Sequence, residues 1–379
     1  QGPVLVTGTL RRDDGGRDRL LLSLAELYAH GIAPDWHAVY GPDARFTELP
    51  TYPFQRERYW ITAPAHTGLS APGLASGHPL ADAMVPVAGD DGLLLTGRLA
   101  TATQPWLADH AVAGTTVLPG AAAVELALHA GAQVGHGHLR ELTLHAPLVI
   151  PDGGGVRFQL AVGPPERDDP GTRPVTLYSR PQDSRPGDED THPNGEIPWT
   201  HHATGLLTQD PPAPAPDDLA GQWPPPGAVG IDLDGLYDRL ADDGYGYGPF
   251  FRGLHAAWRH GDDVLAEVAL PSAGAAEGYG LHPALLDAAL HAVVGLLPAP
   301  GGALRLPFAW TDVSLAATGA SALRVRVRPT GTDTVSVHAA DPAGAAVVAV
   351  GALALRPVAP GTLVAGGTDV AYLLDWSPL

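Results

Sequence analysis

His110 opens the run HAVAGTTVLPG, with Gly114 four residues on and Pro119 nine residues on. An imidazole can take up a proton near neutral pH. A glycine turn leading into a proline-started helix would place unpaired backbone N–H groups beside it, and such groups stabilise a developing oxyanion. The same spacing also fits a turn histidine bonded to backbone. Asp287 and His291 stand four apart in HPALLDAALH, so on a helix they share one face. An ionised carboxylate is costly to bury in ALLDAALHAVVGLL, which favours the protonated acid that a proton donor must be. The spacing recurs at Asp188 and His192 in a polar loop, so spacing alone does not separate a proton-handling pair from one that fixes packing. The third candidate is YGPFFRGL at 247–254. Its glycines point to close backbone approach and its aromatics to an apolar wall, and the Tyr247 hydroxyl could orient a neighbouring carboxyl. The competing reading is the start of a hairpin with core aromatics.

Other chemistries are excluded or unsupported. The chain has no cysteine, hence no thiol nucleophile, no thiolate-bound zinc and no disulfide. All 22 basic residues are arginine, so no mechanism that needs lysine, from a Walker phosphate loop to a pyridoxal Schiff base, can operate in it. His136, His138, His145, His201 and His202 invite a metal reading, but no HExxH or comparable spacing occurs, and the expectation is no metal. Neither a GxSxG elbow nor a GxGxxG turn after a strand is present, against a hydrolase or nicotinamide enzyme. A formal net charge of −19 would repel a polyanion, so nucleic acid is not an expected partner. No apolar run reaches the roughly 18 residues of a bilayer span, and no signal peptide is seen, so no membrane role is expected. The first residue is Gln1, and the chain reads as a piece of something longer.

The elements that must position these residues are legible in outline. Leucines between Asp18 and His30 suit a short helix stopped by Gly31, within a leading segment over 1–63 that ends in the extended stretch LPTYPFQRERYW. Residues 64–77 have linker composition. Strands are expected at 92–100, 139–150, 156–163, 174–180 and 199–208, with a proline-started helix at 119–132. A Pro-rich connector follows at 210–228. The second half repeats the plan: a short helix at 232–241, strands at 251–260 and 263–270, an apolar helix at 283–296, then strands near 304–316, 321–329, 333–339 and 344–355. One Ala/Leu-rich helix among strands, occurring twice, suggests an α+β fold in which a curved antiparallel sheet wraps each helix.

In combination the motifs resemble those of a known family. HAVAGTTVLPG resembles the HxxxGxxxxP motif of the dehydratase domains of modular type I polyketide synthases. YGPFFRGL is similar to their YGPxFQGL motif, HPALLDAALH to their HPALLDA…H/Q motif, LPFAWTDV at 306–313 to their LPFxW segment, and HPL at 78–80 to their usual opening. LPTYPFQRERYW looks like the linker after the acyltransferase, and AYLLDWSPL at 371–379 like the start of the ketoreductase-related region. The resemblance implies a double hotdog. Its expected parts are an upstream linker over 1–63, hotdogs over 64–209 and 229–358 joined by the connector 210–228, and a trailing linker over 359–379.

The resemblance also implies roles. His110 would remove the C2 proton of a 3-hydroxyacyl thioester and Asp287 would protonate the departing 3-hydroxyl. They lie 177 positions apart (287 − 110), one in each half. His291 and Tyr247 match positions that hydrogen-bond the aspartate. The turn and helix start, with Gly114, Leu118, Pro119 and Gly120, would face the thioester, and Pro249, Phe251 and Gly253 would contact substrate. The domain itself would need no cofactor, since the acyl chain rides on the phosphopantetheine of a separate acyl carrier protein. Partners would be that carrier, neighbouring synthase domains and a second copy of the chain, in the cytoplasm. Arg252 departs from the family's usual glutamine, with the tunnel lining or carrier docking as the places it could act. Arg324, Arg326 and Arg328 are expected on one exposed strand face. Two alternatives stand beside dehydration: a dehydratase-like pyran-forming cyclase or double-bond isomerase, and an inactive dimerisation module. The intact His110 and Asp287 favour plain dehydration.

Overall fold

The computed structural model describes residues 6–45, 47, 75–182, 198–209, 219–297 and 304–358. The stretch LPTYPFQRERYW, the Asp188/His192 pair, most of the 181–198 insertion, residues 210–218 of the connector and AYLLDWSPL lie outside the described residues. The chain divides into two compact units, Gln1–Ile61 and Thr62–Leu379.

In the first unit the leucine-rich run forms α1 (Arg17–Ala29), ended by Gly31 at φ +85°. A second helix, α2 (Trp36–Tyr40), was not expected from the sequence; the Asp35 carboxylate caps it by accepting the N–H groups of His37 and Ala38.

The second unit runs β1 (Ala83–Pro86), β2 (Leu93–Leu99), β3 (His110–Val112), β4 (Thr115–Thr116), α3 (Gly120–Gln133), β5 (His138–Leu144), β6 (Val156–Val162), β7 (Thr172–Pro181) and β8 (Thr200–Thr208). The second half continues with β9 (Val229–Ile231), α4 (Leu236–Asp242), β10 (Tyr245–Tyr247), β11 (Leu254–His260), β12 (Asp263–Ala269), α5 (Pro283–Leu296), β13 (Arg305–Leu315), β14 (Ala322–Pro329), β15 (Thr334–Ala340) and β16 (Ala346–Pro357). Strands such as β2, LLLTGRL, alternate strictly between buried and half-buried positions, the period of two that commits one face to a core. Helix α3 buries ten of its 14 residues and α5 eleven of 14. Buried along most of their length and mainly apolar, both sit inside a sheet that wraps them.

Thirteen strands form one antiparallel sheet, in the order β1-β2-β6-β7-β8-β5-β13-β16-β15-β14-β12-β11-β9. The strands of the first half wrap α3 and those of the second wrap α5, giving the expected double hotdog; β5 and β13 pair at the junction, with Trp310 opposite Leu142. One core runs through both halves, with Leu126, Phe158, Leu285, Trp310 and Val325 in a single buried cluster.

A second sheet of three short strands, β10-β3-β4, was not foreseen. Its β3 comes from the first half and β10 from the second, and its register sets His110 opposite Tyr247. Two expected boundaries move. The strand at 139–150 stops at Leu144, since Pro147 has no N–H for a ladder, and 145–150 runs on as an irregular strip. Helix α4 starts at Leu236 rather than 232, because Gly235 enters it at φ +66°. The three arginines of β14 share one strand face, alternating with buried Val325 and Val327, but only Arg328 is exposed as expected: Arg326 and Arg328 both bond Asp263, and Arg324 lies over the Trp223 ring, contacts that partly cover Arg324 and Arg326.

Candidate active site

His110 leaves a short 3-10 turn (Pro105–Asp109) and enters β3. Its Nδ1 lies 2.8 Å from the Val117 carbonyl. A carbonyl can only accept, so Nδ1 carries the hydrogen and the neutral ring presents its lone pair at Nε2. Phe251 supports the ring from behind, with centroids 5.1 Å apart. Nε2 faces Asp287 Oδ2 at 3.9 Å, beyond hydrogen-bond length but close enough for both groups to reach one substrate.

Asp287 projects from α5 and Oδ2 lies 3.2 Å from His291 Nε2, one turn on. His291 is fully buried, and its Nδ1 is 3.2 Å from the Tyr237 hydroxyl. The Leu254 N–H donates to that hydroxyl at 3.0 Å, and His291 Nδ1 is the partner that can accept the hydroxyl's own proton, which burial would otherwise leave unpaired. His291 is thereby fixed as the Nε2–H tautomer and donates to Asp287. Burial pushes Tyr237 up to about 12, so the hydroxyl keeps the proton this chain needs. Tyr237 was missed in the sequence, where it is one tyrosine in a polar run.

Tyr247 does not make the hydrogen bond to Asp287 that the resemblance implied. Its ring instead packs on His291 at 4.0 Å between centroids, and burial lifts its hydroxyl well above the usual tyrosine range.

His110, Tyr247 and Asp287 share a cavity of about 440 Å³ with Leu118, Pro119 and Gly120. Gly114, Pro249, Phe251 and Gly253 do not line it. Gly114 makes the β3–β4 turn at φ +78°. Gly253 allows a close approach, since a Cβ there would come within 2.7 Å of the Ala269 carbonyl and 3.0 Å of Ala288 on α5. The start of α3 at Pro119 has no side-chain cap; the Ala122 N–H turns back to the Pro119 carbonyl at 2.9 Å, which leaves the Gly120 and Ala121 N–H groups of the first turn to meet a ligand oxygen. What the arrangement offers chemically is a base, an oriented carboxyl and an oxyanion-binding helix start in one largely apolar space.

Two family models match this chain, a polyketide synthase dehydratase domain over residues 78–180 and a polyketide synthase dehydratase N-terminal domain over 215–363. The chain belongs to the polyketide synthase dehydratases. The dehydratase domain from the terminal module of the rifamycin polyketide synthase is 44% identical and superposes with a TM-score of 0.66, over 75% of this chain and 99% of that one. A bifunctional dehydratase-cyclase domain from ambruticin biosynthesis is 41% identical with a TM-score of 0.65, over 75% and 98%. Among whole synthases, polyketide synthase GfsB of Streptomyces halstedii is 52% identical over 94% of this chain, which spans only 6% of GfsB.

In this dehydratase domain the strip 145–148 forms one cavity wall together with His202, which in the sequence stands out only among the histidines without metal-ligand spacing. His202 Nδ1 reaches the Ala146 carbonyl at 3.0 Å and Nε2 the Ser179 hydroxyl at 2.7 Å, and burial lowers its pKa, so a neutral ring holds the wall. Arg252 is outside the cavity lining. It donates to the Tyr247 carbonyl at 2.9 Å and lies 5.6 Å from the Tyr237 ring centre, so it touches the supports of the site rather than its surface. Among the described residues no helix is long and apolar enough to cross a membrane.

Proposed function

We propose that this dehydratase domain removes water from a 3-hydroxyacyl thioester carried on the phosphopantetheine of an acyl carrier protein, with His110 as base and Asp287 as acid. The observation that carries the reading is the pair of facing atoms, His110 Nε2 and Asp287 Oδ2, 3.9 Å apart in one cavity. The Nε2 lone pair takes the C2 proton. The electrons of the C2–H bond form the C2=C3 double bond as the C3–O bond breaks, and the hydroxyl leaves as water with the proton of Asp287. The site is left with an imidazolium and a carboxylate, and return of one proton from the first to the second restores it. Because both groups meet the substrate from one side, proton and hydroxyl leave from the same face. Charge that develops on the thioester oxygen is met by the start of α3 at Pro119 and Gly120. Holding both groups against one substrate supplies the proximity on which the reaction depends. Both proton transfers use side chains of the chain itself, and the step calls on no cofactor.

The acyl chain would come from a carrier protein in the same synthase, with neighbouring domains and a second copy of this domain as partners in the cytoplasm. Residues 1–63 and 359–379 would link to those neighbours, with the two hotdogs over 64–209 and 229–358 and the connector 210–228 between them. A cyclase reading has one support, the likeness to a dehydratase-cyclase domain.

Intact mass of a carrier-bound 3-hydroxyacyl chain tests the proposal. Loss of one water with the wild type, and none with His110→Ala or Asp287→Asn, is the expected result. Water loss that survives either substitution sinks the assignment. Chromatography of the released chain separates an open enoyl product from a ring.

A further inference from the structure

Glu125 sits midway along α3, 3% exposed and outside the cavity lining, so no substrate role accounts for it. Its carboxylate accepts three hydrogen bonds. Oε1 takes the Gly280 N–H at 2.7 Å, Oε2 takes the Leu281 N–H at 3.0 Å, and His78 Nε2 approaches Oε1 at 3.3 Å. His78 Nδ1 accepts the Leu80 N–H, which leaves the ring hydrogen on Nε2 and pointing at the carboxylate. Gly280 and Leu281 belong to the other half of the molecule and immediately precede His282, the cap of α5. Gly280 lets the carboxylate in, since a Cβ there would stand 3.3 Å from both oxygens.

The two groups of the site hang from separate halves, and no nearby chain connection fixes their distance. His110 is placed by β3 and the turn into α3. Asp287 lies in the second turn of α5, and a helix is stiff over so short a span. Whatever fixes the start of α5 against α3 therefore fixes Asp287 against His110. A charged acceptor holding backbone N–H groups is a strong and directional way to do that. A buried carboxylate is also costly unless its partners are all in place, so the arrangement tolerates little displacement.

We propose that Glu125 is a positioning residue for the dehydration, a clasp from α3 that sets the start of α5 and with it the gap between Asp287 and His110. The inference rests on the assignment of those two residues as acid and base.

The test measures kcat and KM for dehydration with Glu125→Ala, Glu125→Gln and Glu125→Asp beside His110→Ala and Asp287→Asn, with circular dichroism giving the folded fraction of each. A 1 Å misplacement costs on the order of 100-fold, so kcat per folded molecule should fall about 10- to 100-fold in Glu125→Ala with KM nearly unchanged. Glu125→Gln, which keeps one acceptor oxygen, should recover part of the rate. Glu125→Asp keeps the charge but withdraws it by one methylene, and should also lose kcat. If the alanine variant does not fold, the aspartate variant decides. Wild-type kcat per folded molecule in the folded variants overturns the proposal. Should His110→Ala or Asp287→Asn retain turnover, the acid–base assignment fails instead, which separates the two outcomes.

Discussion

Tyr237 decides which nitrogen of His291 carries a proton, and through it how Asp287 is held. Replacing it with phenylalanine keeps the ring but removes the hydroxyl that accepts from Leu254 and donates to His291 Nδ1. The imidazole is then free to take its other tautomer, in which Nε2 no longer donates to the carboxyl. Tyr237→Phe should lower kcat about tenfold, the worth of one buried hydrogen bond of about 1.4 kcal/mol, with KM unchanged. Steady-state kinetics on the folded variant checks this, and an unchanged kcat would remove Tyr237 from the chain of support. At this scale the sequence was readable where the chemistry is local. His110 with its turn, and Asp287 with His291 one turn away, lie within single short motifs. Tyr237 and His202 reach the site only through tertiary pairing, and no spacing in the sequence marks them. The implied Tyr247 bond failed for the same reason: the β3–β10 register turns its ring onto His291, and motif position does not encode that.

The two central helices were legible to within a residue because a proline start, an apolar run and a length of about four turns leave few alternatives. The three-residue strands β3 and β10 were not, since three residues carry no period, yet they join the halves at His110. Two predictions belong to these elements. In Gly253→Ala the added methyl would press on the Ala269 carbonyl and on Ala288, the neighbour of Asp287. Overpacking of this kind costs about 1–3 kcal/mol, and chemical denaturation should show that loss together with a reduced kcat. The cap of α5 gives a pH effect. Burial lowers the His282 pKa from 6.5 to about 4, and its Nδ1 must stay unprotonated to accept the Ala284 N–H. Between those two values the unfolded chain binds the proton and the folded one does not. The contribution is therefore whole above 6.5 and is lost as pH falls through about 4, to a total of about 3 kcal/mol. His282→Asn keeps a capping acceptor without the titration. Urea midpoints at pH 7 and pH 4.5 should fall less in that variant than in the wild type, and equal slopes would reject the assignment.

The element order suggested two similar halves, and such halves could have been two independent domains. The ladder between β5 and β13 argues otherwise: five residue pairs, from Ala309 opposite Thr143 to Ser314 opposite His138, continue the sheet across the boundary. The core cluster crosses with it, α3 lies against α5, and the small β10-β3-β4 sheet ties the halves a second time. An active site assembled from both halves depends on that continuity, because opening either hotdog alone would expose one side of the shared core and part His110 from Asp287. The physical consequence is that α3 and α5 should open together rather than in sequence. Native-state hydrogen exchange reads this directly. The slowest amides of α3 and of α5 should share one opening free energy and one dependence on denaturant. Leu142→Ala, at the junction strand in the first half, should lower both by the same amount, about 2–5 kcal/mol for a buried leucine. Two separate opening energies, or a Leu142→Ala effect confined to α3, would show that the halves are energetically distinct and that the site is assembled by docking rather than by a common fold.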